Sequence, residues 1–188
     1  MTETKKPIPV EFRTSGTLTE KGVCITEQSS IDALSCRWYG TLEGTVFSLA
    51  FYEALYLLDK GMLEVKNSKG EVVDFQTILH LYGDANENAW VNYIVYRDIR
   101  GRGYVVREGF GAGVSFRVYE RGAYGNESAS YMVLGTQEGK PLPIDTLADV
   151  MQQCQSQKKE LVVAVMNRRG EIVYYSVGQL HFGGKEDA

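Results

Sequence analysis

The sequence is poor in the residues from which many hydrolytic and metal sites are made. Its 188 residues include two histidines, His80 and His181, and three cysteines, Cys24, Cys36 and Cys154. An odd number of cysteines with no Cys-x-x-Cys spacing argues against a disulfide framework and a zinc site, and suits a reducing cytoplasm. No apolar run reaches membrane-spanning length. The opening residues, MTETKKPIPV, are polar and then interrupted by prolines, unlike a secretory leader, so a soluble, unexported protein with no membrane partner is expected. Positive charge is not in excess either: the net charge is −4. That balance excludes a bulk polycation but leaves room for a local basic patch. There is no internal repeat and no low-complexity segment.

What is present is an ordinary globular composition. With 44% hydrophobic residues, the chain can bury one sizeable core or two small ones, hence one or two compact domains. Residues 10–40 alternate polar and apolar, with Gly16 and Gly22 as punctuation, and predict a small antiparallel sheet. TVFSLAFYEALYLLDKG predicts a helix with Thr45 as its cap and Gly61 at the C′ position. MLEVKNSKGEVVDF predicts a hairpin turning at Asn67–Gly70, and a helix follows around Gln76–Tyr82. The polar stretch GDANEN, residues 83–88, is the natural linker.

Beyond it, Val91, Ile94, Val95 and Ile99 share one helical face, and Gly101 and Gly103 end that helix. Strand patterns occupy 104–108, 114–120 and 130–134. In LPIDTLADVMQQCQ, Leu147, Val150, Met151 and Cys154 recur at helical spacing, with Pro143 near the start. Two further strands, LVVAVM and EIVYYSV, flank a tight turn at Asn167–Gly170. The fold class predicted is α/β in the broad sense (α+β), the second half being helix, three strands, helix, two strands around a largely buried mixed sheet. The last stretch, EIVYYSVGQLHF, is apolar enough that an exposed edge would need covering, so association is expected.

For chemistry, Arg97, Arg100, Arg102, Arg107, Arg117 and Arg121 are interleaved with Tyr93, Tyr96, Tyr104 and Tyr119. Guanidinium groups pair with phosphates and aromatic rings stack on bases, as in contacts to single-stranded or bulged RNA. The same residues also read as a solvated face with salt bridges to Asp98 and Glu108. GRGYVVREGFGAG lacks the dinucleotide fingerprint and the phosphate-loop lysine, so its glycines are turn glycines. His80, His181 and the cysteines read as packing or surface residues. Lys158 and Lys159 stand before a strand, and Tyr119 ends one; neither position is diagnostic by itself. Phe116 to Val133, FRVYERGAYGNESASYMV, is the most site-like segment, and no histidine lies in it.

NYIVYRDIRGRGYVVREG, FRVYERG, KKELVVAVMNRRGEIVYY and WYGTLEGTVFSLAFYEALYLLDKGMLEV together resemble the archaeal tRNA-splicing endonuclease (tRNA-intron endonuclease) family, in collinear order over nearly the whole chain. The resemblance implies an N-terminal tRNA-intron endonuclease domain over 1–86. It implies a nuclease-like C-terminal domain over 87–188, with a β-sheet held between two helices. It implies cleavage of precursor tRNA at bulge-helix-bulge elements by a tetramer or dimer of dimers, with no metal and no cofactor. In that family a tyrosine takes the proton of the ribose 2′-hydroxyl, a histidine protonates the leaving 5′-oxygen, and a lysine stabilises charge on the phosphate. The products are a 2′,3′-cyclic phosphate and a 5′-hydroxyl.

Carried over, the tyrosine is Tyr119 and the lysine Lys159, and the two should converge at one edge of the C-terminal sheet. The histidine position falls on Ser128, whose hydroxyl has no pKa near neutrality and cannot replace an imidazole acid. The family's base-sandwiching arginine falls on Gln152. Arg100, Arg102, Arg117 and Arg121 are the expected RNA-binding residues. The turn that docks into a neighbouring subunit, usually acidic, carries Arg168, Arg169 and Glu171. Two readings follow: a structural subunit of a heteromeric enzyme working with a catalytic paralogue, or an endonuclease with an atypical acid.

Overall fold

The computed structural model describes residues 13–110 and 113–178. The opening residues, Gly111 and Ala112 of the glycine-rich stretch, His181 and the end of the last apolar stretch lie outside them. Backbone contacts gather into two units, divided between Tyr93 and Ile94.

The first unit begins with β1 (Thr14–Thr19), β2 (Gly22–Ile25), α1 (Gln28–Ser35), β3 (Thr41–Glu43), β4 (Val46–Leu49) and α2 (Phe51–Asp59). It continues with β5 (Leu63–Lys66), β6 (Val72–Val73) and α3 (Phe75–Ala85). Its sheet runs β3-β4-β2-β1-β5-β6, with β1 parallel to β5. Gly22 makes the β1–β2 turn possible: it has φ of +145°, and a Cβ there would meet the Leu49 carbonyl oxygen at 2.1 Å.

Some details differ from the pattern read in the sequence. Residues 28–35 are helical, not strand: Ser29 and Ser30 donate to the Glu27 carboxylate at the helix start, and Ser30 and Leu34 are its buried pair. Eight residues are too few for that period to stand out from neighbouring alternation. Thr45 caps nothing, because a β3–β4 hairpin turns at Gly44 and α2 starts only at Phe51. The Glu53 carboxylate, 3% exposed, does the capping from within the first turn, accepting from Ala50 N at 3.0 Å and Gly40 N at 3.1 Å. At the other end Gly61 has φ of +68°, and Met62 N reaches Leu57 O at 2.8 Å, as a C′ glycine requires.

NSKGE in the β5–β6 hairpin and NRRGE near the end of the chain fold alike. Asn67 Oδ1 accepts from Lys69 N and Glu71 N, and Asn167 Oδ1 from Arg169 N and Glu171 N. α3 is capped by Asp74, which accepts from Thr77 N at 2.8 Å, and runs on through Ala85, so the polar stretch 83–88 is helical in its first half. α4 (Ala89–Gly101) follows.

The second unit adds β7 (Val105–Glu108), β8 (Phe116–Tyr119), β9 (Tyr131–Gln137), α5 (Ile144–Ser156), β10 (Glu160–Met166) and β11 (Ile172–Val177). The sheet order is β11-β10-β9-β8-β7, antiparallel except where α5 carries the chain from β9 to a parallel β10. Val150 and Cys154 of α5, flanked by Leu147 and Met151, pack on Met132, Leu134, Leu161 and Val163. That is the stripe read in the sequence. On the opposite face Tyr96 of α4 meets Phe116, and Ile99 lies over Val118, Val133 and Val162 around a hollow of about 270 Å³. Among the described residues no helix is long and apolar enough to cross a membrane.

Candidate active site

β8 sets the site by simple alternation. Phe116 and Val118 turn toward α4, so Arg117 and Tyr119 share the other face, beyond the part that α5 covers. Tyr119 is 9% exposed and packs with Val105, Ala129 and Tyr124. Tyr124 meets it edge-on, with ring centroids 4.6 Å apart. The Tyr119 hydroxyl accepts a hydrogen bond from Arg117 Nη1 at 3.4 Å.

Lys159 comes from the junction of α5 and β10. Lys158 adopts φ of +54°, a left-handed conformation that ends the helix, and Lys159 N closes on Cys154 O at 2.9 Å. Glu160 N then bonds Ser130 O, and Lys159 Nζ donates to Ala129 O at 3.2 Å. Ala129 therefore receives both residues: the Tyr119 ring on its side chain and the Lys159 ammonium on its carbonyl. The ammonium also favours the Cys154 thiolate, but burial outweighs it and pushes that thiol up.

Ser128 precedes Ala129 and is exposed. It lines an open hollow of about 660 Å³ with Glu120, Glu127, Glu160 and Lys158. Three carboxylates thus face one ammonium there, an unfavourable field for a phosphate. The negative charge of Glu120, followed by burial, pushes the Tyr131 phenol up, and Tyr131 Oη donates to Glu120 Oε1 at 3.3 Å. Among the described residues no cluster of His, Cys, Asp and Glu is arranged to hold a metal ion.

The four arginines named for RNA do not stand together. Arg100 Nη1 donates to Tyr104 O, Arg102 Nε bonds Asp98 at 2.9 Å, and Arg121 Nη2 donates to Arg102 O. Those three gather where α4 meets β7, while Arg117 lies beside Tyr119. Gln152 is exposed, and its neighbour Gln153 donates to Phe110 O at 3.1 Å. Arg168 and Arg169 are exposed on the β10–β11 turn, and the Glu171 carboxylate accepts from Asn167 Nδ2 at 2.8 Å.

Phe110 and Tyr124 escape a reading by motif. The Arg117 guanidinium lies 4.1 Å from the Phe110 ring centroid and that of Arg107 5.0 Å from the Tyr124 centroid. The available signal was the register of two alternating strands, which sets Arg107 opposite Arg117.

Residues 14–79 match the family model of the tRNA intron endonuclease N-terminal domain, and residues 89–174 that of its catalytic C-terminal domain. The chain is 31% identical to the tRNA-splicing endonuclease of Methanococcus vannielii, with 96% of this chain and 98% of that protein covered. It is 30% identical to the tRNA-splicing endonuclease of Pyrococcus horikoshii over 93% and 98% of the two chains. Against that of Pyrococcus furiosus the identity is 35% over 75% and 81%. The chain accordingly belongs to the tRNA-splicing endonuclease family.

Proposed function

We propose that this chain is the structural, assembly-competent subunit of a tRNA-splicing endonuclease, acting with a catalytic paralogue on precursor tRNA introns bounded by bulge-helix-bulge elements. The observation that carries this reading is Ser128, a residue with no usable acid, in a hollow that Glu120, Glu127 and Glu160 make negative. Internal attack needs the 2′-hydroxyl proton to pass to a base while the phosphorus–5′-oxygen bond breaks and that oxygen takes up a proton. The ends are then a 2′,3′-cyclic phosphate and a 5′-hydroxyl. Nucleophile and phosphate are already tethered, so proton transfer and charge stabilisation are the main tasks. Loss of the general acid typically costs about 10²- to 10⁴-fold. In this reading the chemistry belongs to the paralogue, and Arg168, Arg169 and Glu171 belong to a docking turn within a cytoplasmic hetero-oligomer, a tetramer by analogy with the family.

A second reading is supported by the meeting of Tyr119 and Lys159 on Ala129. There Tyr119 is the base, Lys159 steadies the phosphate, and water or a partner residue is the acid, in a homo- or hetero-oligomer needing no metal or cofactor. A reconstituted mixture with the paralogue separates the two. Under the first reading Tyr119→Phe in this chain leaves the cleavage rate unchanged and the matching change in the paralogue abolishes it. The reverse pattern would assign the chemistry to this chain.

A further inference from the structure

On the β7–β8 side of the second unit two arginines face each other across the strand pair. Arg107 and Arg117 are directly opposite each other in the strand register, and like charges so placed are destabilising. Arg117 has no carboxylate partner among the described residues. Its Nε donates to Glu108 O at 2.9 Å and its Nη1 to Tyr119 Oη at 3.4 Å. The guanidinium plane is thereby fixed over Phe110, and no described residue uses its Nη2 group. Phe110, although stacked, is 42% exposed.

Its backbone is held from two sides. Gly109 N bonds Ser115 O at 3.0 Å, and Gln153 holds the Phe110 carbonyl. A Cβ at position 109 would meet the Val114 carbonyl oxygen at 2.2 Å, so only glycine lets the connection close this tightly and present the ring. An exposed aromatic face, a fixed guanidinium plane and spare N–H donors are the elements that take an unstacked nucleobase: the flat groups stack, and the donors read an edge or a neighbouring phosphate.

We propose that Phe110 and Arg117 form a base-stacking subsite for an unpaired nucleotide of the RNA, beside Tyr119. The proposal rests on the reading of the chain as a subunit that contacts precursor tRNA. Arg107, bonded through Nε to Tyr124 Oη at 2.9 Å, extends the platform along the same sheet face.

The test uses the full chain, alone and mixed with its paralogue, and a bulge-helix-bulge RNA with 5-iodouridine at each bulge position in turn. Irradiation joins this base to an aromatic ring stacked on it, and mass spectrometry of the digested adduct locates the ring. The expected result is an adduct on Phe110. Phe110→Ala and the milder Phe110→Leu, which keeps apolar volume at an exposed position, should each lose the adduct. The alanine variant should bind about 5- to 100-fold more weakly. Arg117→Lys keeps the charge but not the plane, and should weaken binding with little change in its salt dependence. Wild-type binding with adducts elsewhere, or with the Phe110 variants binding equally well, overturns the subsite and leaves the RNA reading intact. Absence of binding by the wild type in both settings overturns the RNA reading, and the subsite with it.

Discussion

Replacing Tyr174 by phenylalanine tests how β11, an outer strand of the second sheet, is held. The Tyr174 hydroxyl donates to Asp98 Oδ2 at 2.7 Å, and Asp98 also receives Arg102 Nε at 2.9 Å. A hydrogen bond to a charged acceptor contributes about 1.5–3 kcal/mol. The site is partly open to solvent, so the lower figure applies, about 1.5 kcal/mol, which for a chain of this size lowers Tm by about 3–6 °C. The effect should also depend on pH. Burial first, then the bond to Asp98 and its charge, push the Tyr174 phenol far above its usual 10.0. A raised pKa means that the contribution is fully present below the unfolded tyrosine value and is lost as pH rises beyond it. The phenyl ring of the Tyr174→Phe variant has no proton to lose. Urea unfolding from neutral pH to about pH 11 should therefore show the wild type more stable at neutral pH and its advantage shrinking above about pH 10. Other tyrosines titrate in both proteins and cancel in the difference. A constant offset across that range, or none at neutral pH, would refute the assignment.

Substitutions at two further positions probe the capping carboxylate and the vacant acid. Glu53→Ala leaves the amides of Gly40 and Ala50 without their acceptor and should cost about 2–4 kcal/mol in urea unfolding. Glu53→Gln should cost less, since one amide oxygen can still accept. Ser128→His puts an imidazole among Glu120, Glu127 and Glu160, whose charge raises its pKa and keeps it protonated as an acid. It should give this chain weak cleavage, at least about 10-fold above its own background but short of a full acid's contribution. An unchanged single-turnover rate would show that the acid is not what the chain lacks.

Legibility in the sequence followed the physics of each element. The stripe Leu147, Val150, Met151, Cys154 was readable because α5 packs one face on a sheet and leaves the other wet. The Asn167 turn was readable because an asparagine that accepts two backbone amides, followed by Gly170 at φ of +77°, is a local device. The start of α2 was not readable, since its cap is a buried glutamate that also holds Gly40, thirteen residues from it in sequence. α1 was hidden by its brevity. At the candidate site, Tyr119 and Lys159 were named through the family pattern. Their meeting on Ala129 depends on β8, β9 and the α5–β10 junction lying side by side, which no local signal encodes. Phe110 was invisible for the same reason: its significance comes from an arginine on the neighbouring strand.

The proposed role of this chain, a subunit without its own acid that serves a catalytic partner, turns on whether it can cleave by itself. Single-turnover cleavage of a bulge-helix-bulge RNA by the purified chain alone, with EDTA present, decides this. Negligible cleavage is expected, rising to a rapid rate when the paralogue is added. Robust cleavage by the chain alone, lost in Tyr119→Phe, would contradict it and make this chain the enzyme.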